Sequence, residues 1–238
     1  MRSVRAVFIK QGLDMRRNPT TLIQFLVFPV VAFVFTVVVA RPNPDIPDMM
    51  FVTMFAAIFA GMSVTVTMAS VIAEDRERGS CKFLTMAGVK PQQYLLGVGG
   101  FVASVGLVIA LVFAVMSGFT GTLFVRFWGV IALGVVTSTV LGATLGILAR
   151  NQQAATAIVM PIALVLAFGP MLAQFNQSVA KLFSVFYTQQ VSVLANDPGA
   201  GFANDSGAGL ARPLFVIVAN LAVLLVLFLL AYRARGLR

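Results

Sequence analysis

Apolar residues dominate this chain in long uninterrupted runs, and the charged positions fall between them. The runs free of Asp, Glu, Lys, Arg and His are 18–40, 49–73, 91–125, 127–149, 151–180 and 213–232. A helix rises about 1.5 Å per residue, so roughly 20 residues cross a hydrocarbon core. The pattern predicts six helical spans, at about 19–40, 49–73, 95–118, 127–149, 154–175 and 213–232. Closed barrels need short alternating strands, whereas Val30 to Val39 and Leu221 to Leu230 are almost continuously apolar. The expected fold class is therefore an all-α integral membrane protein.

The segments between the runs predict smaller elements. Residues 2–17 set Val4, Val7, Phe8 and Met15 toward one side of a helix and Arg2, Arg5, Arg16 and Arg17 mostly toward others, although Ile9 and Leu13 break the pattern. An interfacial helix is expected there, ended by Asn18-Pro19. Pro42, Pro44 and Pro47 make 42–48 a stiff turn. The segment 176–212 is read as an outer connection. Its portion Leu182 to Leu194 has roughly helical apolar spacing and is expected on the membrane face. Asn196-Asp197-Pro198-Gly199 and Gly201, Gly207 and Gly209 follow with turn chemistry, either a site of substrate release or a plain connector. Sequons stand at Asn176 and Asn204. The first run ends in Val38-Val39-Ala40 but is too long for a signal peptide's apolar region, so an uncleaved first span is expected.

Composition agrees: mean hydropathy is +0.96, with 59% hydrophobic and 11% charged residues. The net charge of +9 takes its meaning from placement. With both termini in the cytoplasm, the inner segments hold Arg2, Arg5, Lys10, Arg16, Arg17, Arg76, Arg78, Lys82, Lys90, Arg150, Arg233, Arg235 and Arg238. The outer ones hold only Arg41, Arg126, Lys181 and Arg212, while the acids divide evenly. This bias predicts cytoplasmic termini, with the basic residues beside anionic lipid headgroups rather than nucleic acid. The single Cys81 excludes an intrachain disulfide.

The apolar runs contain no Asp, Glu, Lys, Arg or His, and the whole chain has no histidine. A proton relay at membrane depth and an intramembrane metal centre both lack their ligands. No phosphate-cradling Gly-x-x-x-x-Gly-Lys-Ser/Thr loop occurs, so active transport needs a separate motor.

Three sets of candidate residues stand out. Small residues recur at four-residue intervals at Gly106, Ala110, Ala114 and Gly118 in the third span and at Gly134, Ser138, Gly142 and Gly146 in the fourth. Such stripes let backbones approach, either within one chain or across a permease interface. Thr53, Thr67 and Ser70 either face a polar pathway or bond their own helix. Pro29, Pro161 and Pro170 are expected to kink their spans. The third set is the charged connection 74–91, which holds Glu74, Asp75, Arg76, Glu77, Arg78 and Gly79. Phe83, Leu84 and Met86 follow ahead of Gly88, and Pro91 ends the connection. A short surface helix with exposed apolar side chains suits a protein groove; a solvated loop is the alternative.

This connection resembles that of the permease subunits of type-2 ATP-binding-cassette exporters. Those share an acid-basic-acid cluster, Gly-Thr, an apolar turn and a proline, matched here by Glu74, Arg76, Glu77, Gly79, Ser80, Phe83, Leu84 and Pro91. Arg17-Asn18-Pro19 and Phe28-Pro29 resemble the family's opening motifs. The chain departs from the pattern in Ser80, usually threonine, and in a less proline-rich outer segment. The resemblance implies two permease copies or paralogues, twelve spans, carried on two cytosolic ATPase subunits that bind ATP and Mg. It implies no catalytic, cofactor or metal site on this chain, a prokaryotic plasma membrane, and 74–91 as the coupling element. Glu74 and Glu77 are expected to pair with basic groups on the motor or on the N-terminal helix, and Phe83 with Leu84 to fill the motor's groove. Phe supplies 21 of the aromatics beside three Tyr and one Trp, which suits an amphipathic drug, antimicrobial peptide or lipid-like substrate. The competing class is a passive channel or a non-transport scaffold or regulatory subunit.

Overall fold

A computed structural model describes residues 2–197 and 208–235, and every regular element among them is helical. An opening helix α1 (Arg2–Arg17) leads into α2 (Pro19–Phe35), which a wide π-helical turn, Thr36–Ala40, extends to complete span 1. Span 2 is α3 (Met50–Ile58), a second π-helical turn (Phe59–Ser63) and α4 (Val64–Glu77). After α5 (Ser80–Met86) come α6 (Pro91–Met116), α7 (Gly121–Leu148) and α8 (Gln152–Phe175), which are spans 3 to 5. Two short helices, α9 (Gln177–Phe183) and α10 (Tyr187–Asn196), precede α11 (Ala208–Arg235), span 6. Six segments are thus long and apolar enough to cross a membrane, from Thr21–Ala40 to Leu210–Ala234.

Span 2 extends four residues past its expected end, because Glu74 to Glu77 continue the helix of α4. Span 3 begins at Pro91 rather than near 95, since proline fits the first helical position where no N–H is needed. Pro29, Pro161 and Pro170 lie inside α2 and α8, as anticipated.

Spans 2 and 4 form the centre. In their most apolar windows 78% of residues are buried, against 17% in span 1 and 6% in span 6, which leaves those two facing outward. The stripe residues account for the contact. A Cβ at Gly142 would stand 2.5 Å from the Thr65 carbonyl oxygen, and one at Gly146 3.0 Å from Ala69 Cα. Gly106 lies against Val135 and Gly134 against Ala60 and Val191, while Ala110 and Ala114 are fully buried. These small residues therefore bring the chain's own helices together. Gly118, the last of the first stripe, lies beyond α6 with φ +69°. Phe59 bridges spans 1 and 3, its ring 6.0 Å from Phe25 and 5.6 Å from Phe113.

Helix α1 lies against α6, where Gly97 admits Val7 so closely that a Cβ would come within 2.7 Å. Its bundle-facing stripe is Val7, Gln11 and Met15, one turn apart, whereas Ile9 and Leu13 point away, 50% and 51% exposed. The two residues that blur the amphipathic pattern thus form a second apolar face.

The connection after span 5 does not lie across the membrane face. Helix α9 folds back along α8, and the Phe183 ring lies against Gly169, where no side chain fits. Tyr187 then meets Ser138, past the midpoint of α7, and α10 climbs back until Asn196 Oδ1 accepts from Thr53 Oγ1 at 2.6 Å, near the start of span 2. Helices α9 and α10 form a hairpin that dips to mid-depth. Most of α10 is buried because Thr188, Gln189, Gln190 and Ser192 point inward. Their polarity made the segment read as a surface one. The Gly-rich stretch from Pro198 and the Asn204 sequon lie outside the described residues.

Candidate functional site

The charged end of the bundle is organised by the last turn of α4. Carboxylates near a helix C-terminus oppose its dipole and need compensation. Each of the three here obtains it differently. Asp75 is buried and accepts three hydrogen bonds: from Lys10 Nζ at 2.7 Å, Gln11 Nε2 at 2.9 Å and the Tyr94 hydroxyl at 2.8 Å. It therefore fastens α1 and the start of α6 to span 2. Glu74 pairs with Arg78 one turn along, at 2.6 Å. Glu77 accepts from the backbone N–H of Gln152 at 3.0 Å, at the positive end of α8. Among the described residues the carboxylate that fastens α1 is Asp75, whereas Glu74 pairs within α4 and Glu77 with the start of α8.

Arg76 works on the opposite helix pole. Its guanidinium donates to the carbonyls of Ile147 at 3.0 Å and Ala149 at 2.6 Å. Those groups end α7 without intrahelical donors, so a cation there is favoured twice, by hydrogen bonding and by the dipole. Asn151 caps the next helix by accepting from Ala154 N.

Lys10 lies between two acids, with Asp14 at 3.2 Å on its other side. Burial pulls its pKa down, but the hydrogen bonds and charges of Asp75 and Asp14 outweigh that and hold it above the usual 10.5. The ammonium is charged at neutral pH.

Beyond Arg78 the chain reverses at Gly79, whose φ of +70° suits a residue without a Cβ. In α5, Phe83 and Met86 are 72% and 76% exposed, while Leu84 is half-buried against the core. The exposed apolar pair is thus Phe83 with Met86, not Phe83 with Leu84. Gly88, at φ +78°, closes α5 before Pro91 opens α6. A cavity of about 490 Å³ lies beside this turn between α1, α2, α4 and α6, with Glu74, Asp75 and Arg78 at its polar side and Phe25 and Val102 at its apolar side.

The remaining candidates lie deeper. Thr53 bonds Met50 O and Asn196, and Thr67 donates to Gln24 Oε1 at 3.2 Å. Both are buried, while Ser70 is half-buried. A polar knot holds the hairpin at mid-depth: Ser138 Oγ donates to the Ala60 carbonyl, and the Tyr187 hydroxyl, 2.7 Å away, donates to Ser138. A π-helical turn leaves a carbonyl without its usual helical donor, and Ala60 lies in that turn.

Sequence reasoning missed Lys10, Gln11 and Tyr94 as partners of Asp75, and Tyr187 altogether. The available hint for the first was the four-residue stripe Val7, Gln11 and Met15 on α1. Nothing local marked Tyr187.

Among the described residues no group of His, Cys, Asp or Glu is arranged to hold a metal ion. Fold and site together define a multi-pass helical membrane protein with a charged hub at one end and a re-entrant hairpin at the other. The profile of the family described as ABC-2 family transporter protein matches residues 35–232. The chain belongs to that family, as a transmembrane permease subunit that is not itself catalytic. Membership agrees with location in the plasma membrane and with association with an ABC ATPase subunit. No curated protein matches the chain.

Proposed function

We propose that this chain, with both termini cytoplasmic, is the membrane half of an ATP-driven exporter that moves an amphipathic drug, antimicrobial peptide or lipid-like substrate. A second permease copy or paralogue completes the pathway, and two cytosolic subunits bind ATP and Mg and do the hydrolysis. The observation that carries the reading is the continuity between an exposed apolar pair and the ends of five helices. Phe83 and Met86 project from α5. The turn at Gly79 joins α5 to the Asp75, Arg76 and Glu77 cluster, and that cluster bonds α1, α6, α7 and α8. A push on α5 by a closing motor is thereby delivered to five helices rather than to one loop.

The test is Phe83→Asp together with Met86→Asp. Both side chains are exposed, so the permease should fold normally. Co-purification with the ATPase subunit and stimulation of its hydrolysis should both be lost. Unchanged recovery and stimulation would remove α5 from the coupling role. ATP-independent flux through purified chain in vesicles would favour a passive channel instead.

A further inference from the structure

We propose that the groove between α6, α7 and α11 is a binding site for one anionic phospholipid, with an acyl chain in the groove and the headgroup at the charged end of the bundle. The groove encloses about 540 Å³. Leu96, Gly99 and Ala103 form one wall, Val140 the floor, and Phe228 and Tyr232 the other wall. Thr139, the one hydroxyl-bearing aliphatic side chain on the lining, donates to Val135 O at 2.8 Å, so it adds no free donor to the groove. The Phe228 and Tyr232 rings stack at 6.2 Å and 17°, giving that wall a flat face.

Length and charge choose the occupant. From Gln92 to Ala103 the groove follows α6 for about 16 Å at 1.5 Å per residue, half of a roughly 30 Å hydrocarbon core. That is the reach of one acyl chain in one leaflet, ending where the spans meet the headgroups. Lys90, two residues before the lining Gln92, and Arg233, next to the lining Tyr232, fall at this end of the groove, both exposed and without an ion-pair partner among the described residues. Neither 91–116 nor 208–235 contains an Asp or Glu. Two cations at the ends of helices that carry no acid, with the nearby Asp75 already engaged by Lys10, Gln11 and Tyr94, favour a net-negative headgroup over a zwitterionic one, by about fivefold for each cation. The orientation proposed above makes this the inner leaflet, but the groove and its test do not depend on that orientation.

The experiment is native mass spectrometry of the full chain purified in detergent and titrated with dioleoyl phosphatidylglycerol or dioleoyl phosphatidylcholine. One phosphatidylglycerol per chain should be retained in preference to phosphatidylcholine. Arg233→Gln should cut that preference about fivefold, Ala103→Phe should abolish retention of either lipid, and Val115→Phe, exposed near the far end of α6, should change nothing. If Ala103→Phe fails to fold, Arg233→Gln decides. Equal retention of the two lipids by the unaltered chain would overturn the proposal. So would a disulfide between two copies carrying Ala103→Cys in a Cys81→Ser background, which assigns the groove to a subunit contact. Loss of motor stimulation in the α5 variants with lipid retention intact would leave the two readings separate.

Discussion

Replacing Asp75 with alanine tests the hub most directly. The carboxylate receives three donors, and their surroundings decide the cost. The Lys10 side chain is 32% exposed and has Asp14 as a second acceptor, so its loss is cushioned. Gln11 and Tyr94 are 6% and 2% exposed, and they lose a charged acceptor with little access to water. Each such bond is worth about 1.5–3 kcal/mol, which puts Asp75→Ala at about 3–5 kcal/mol. Because two of the three donors lie on α1, that helix should be released first, before the bundle unfolds. Hydrogen exchange of residues 2–17 should accelerate by up to roughly 10²- to several 10³-fold, at about tenfold per 1.4 kcal/mol. Glu74→Ala is the control. It removes a partly exposed i,i+4 pair within α4, worth about 0.5 kcal/mol, and should leave α1 protected. Equal exchange in the two variants would refute the assignment of Asp75 as the residue that fastens α1.

Three further outcomes are expected. The raised Lys10 pKa sets the sign of its pH dependence: its contribution is complete below the usual 10.5 and is lost only as pH rises through the higher folded value. The melting difference between the unaltered chain and Lys10→Met should therefore stay level from neutral pH up to about 10.5 and shrink as the pH rises on through the higher folded value. Arg76→Gln removes the charge from two bonds to the end of α7 and should cost about 1.5–3 kcal/mol in denaturant or thermal unfolding, with faster exchange confined at first to the last turn of α7. Gly142→Ala places a methyl against the Thr65 carbonyl, where backbone cannot yield. It should destabilise the chain by about 1–3 kcal/mol or more, whereas Gly129→Ala, with nothing within 4 Å of its added Cβ, should be tolerated.

The six spans were legible from the order of residues alone, because in lipid a backbone must satisfy its hydrogen bonds within its own segment. A run of apolar residues long enough to do so is a local property. The turns at Gly79 and Gly88 and the helix start at Pro91 follow from the local backbone in the same way, although the helix of span 2 runs on through Glu77 into the charged connection. The partners of Asp75 depended on tertiary structure. Glu74, Asp75 and Glu77 look alike in sequence, and only the rotation of α4 against α1 and α6 puts one of them beneath Lys10, Gln11 and Tyr94, with separations of 64 and 65 residues to the α1 partners. The hairpin is the extreme case. Its polar Thr188, Gln189 and Gln190 read as surface residues until packing against spans 2 and 4 encloses them. Hydropathy records what a segment prefers as solvent, but not which neighbours replace that solvent when the helices assemble.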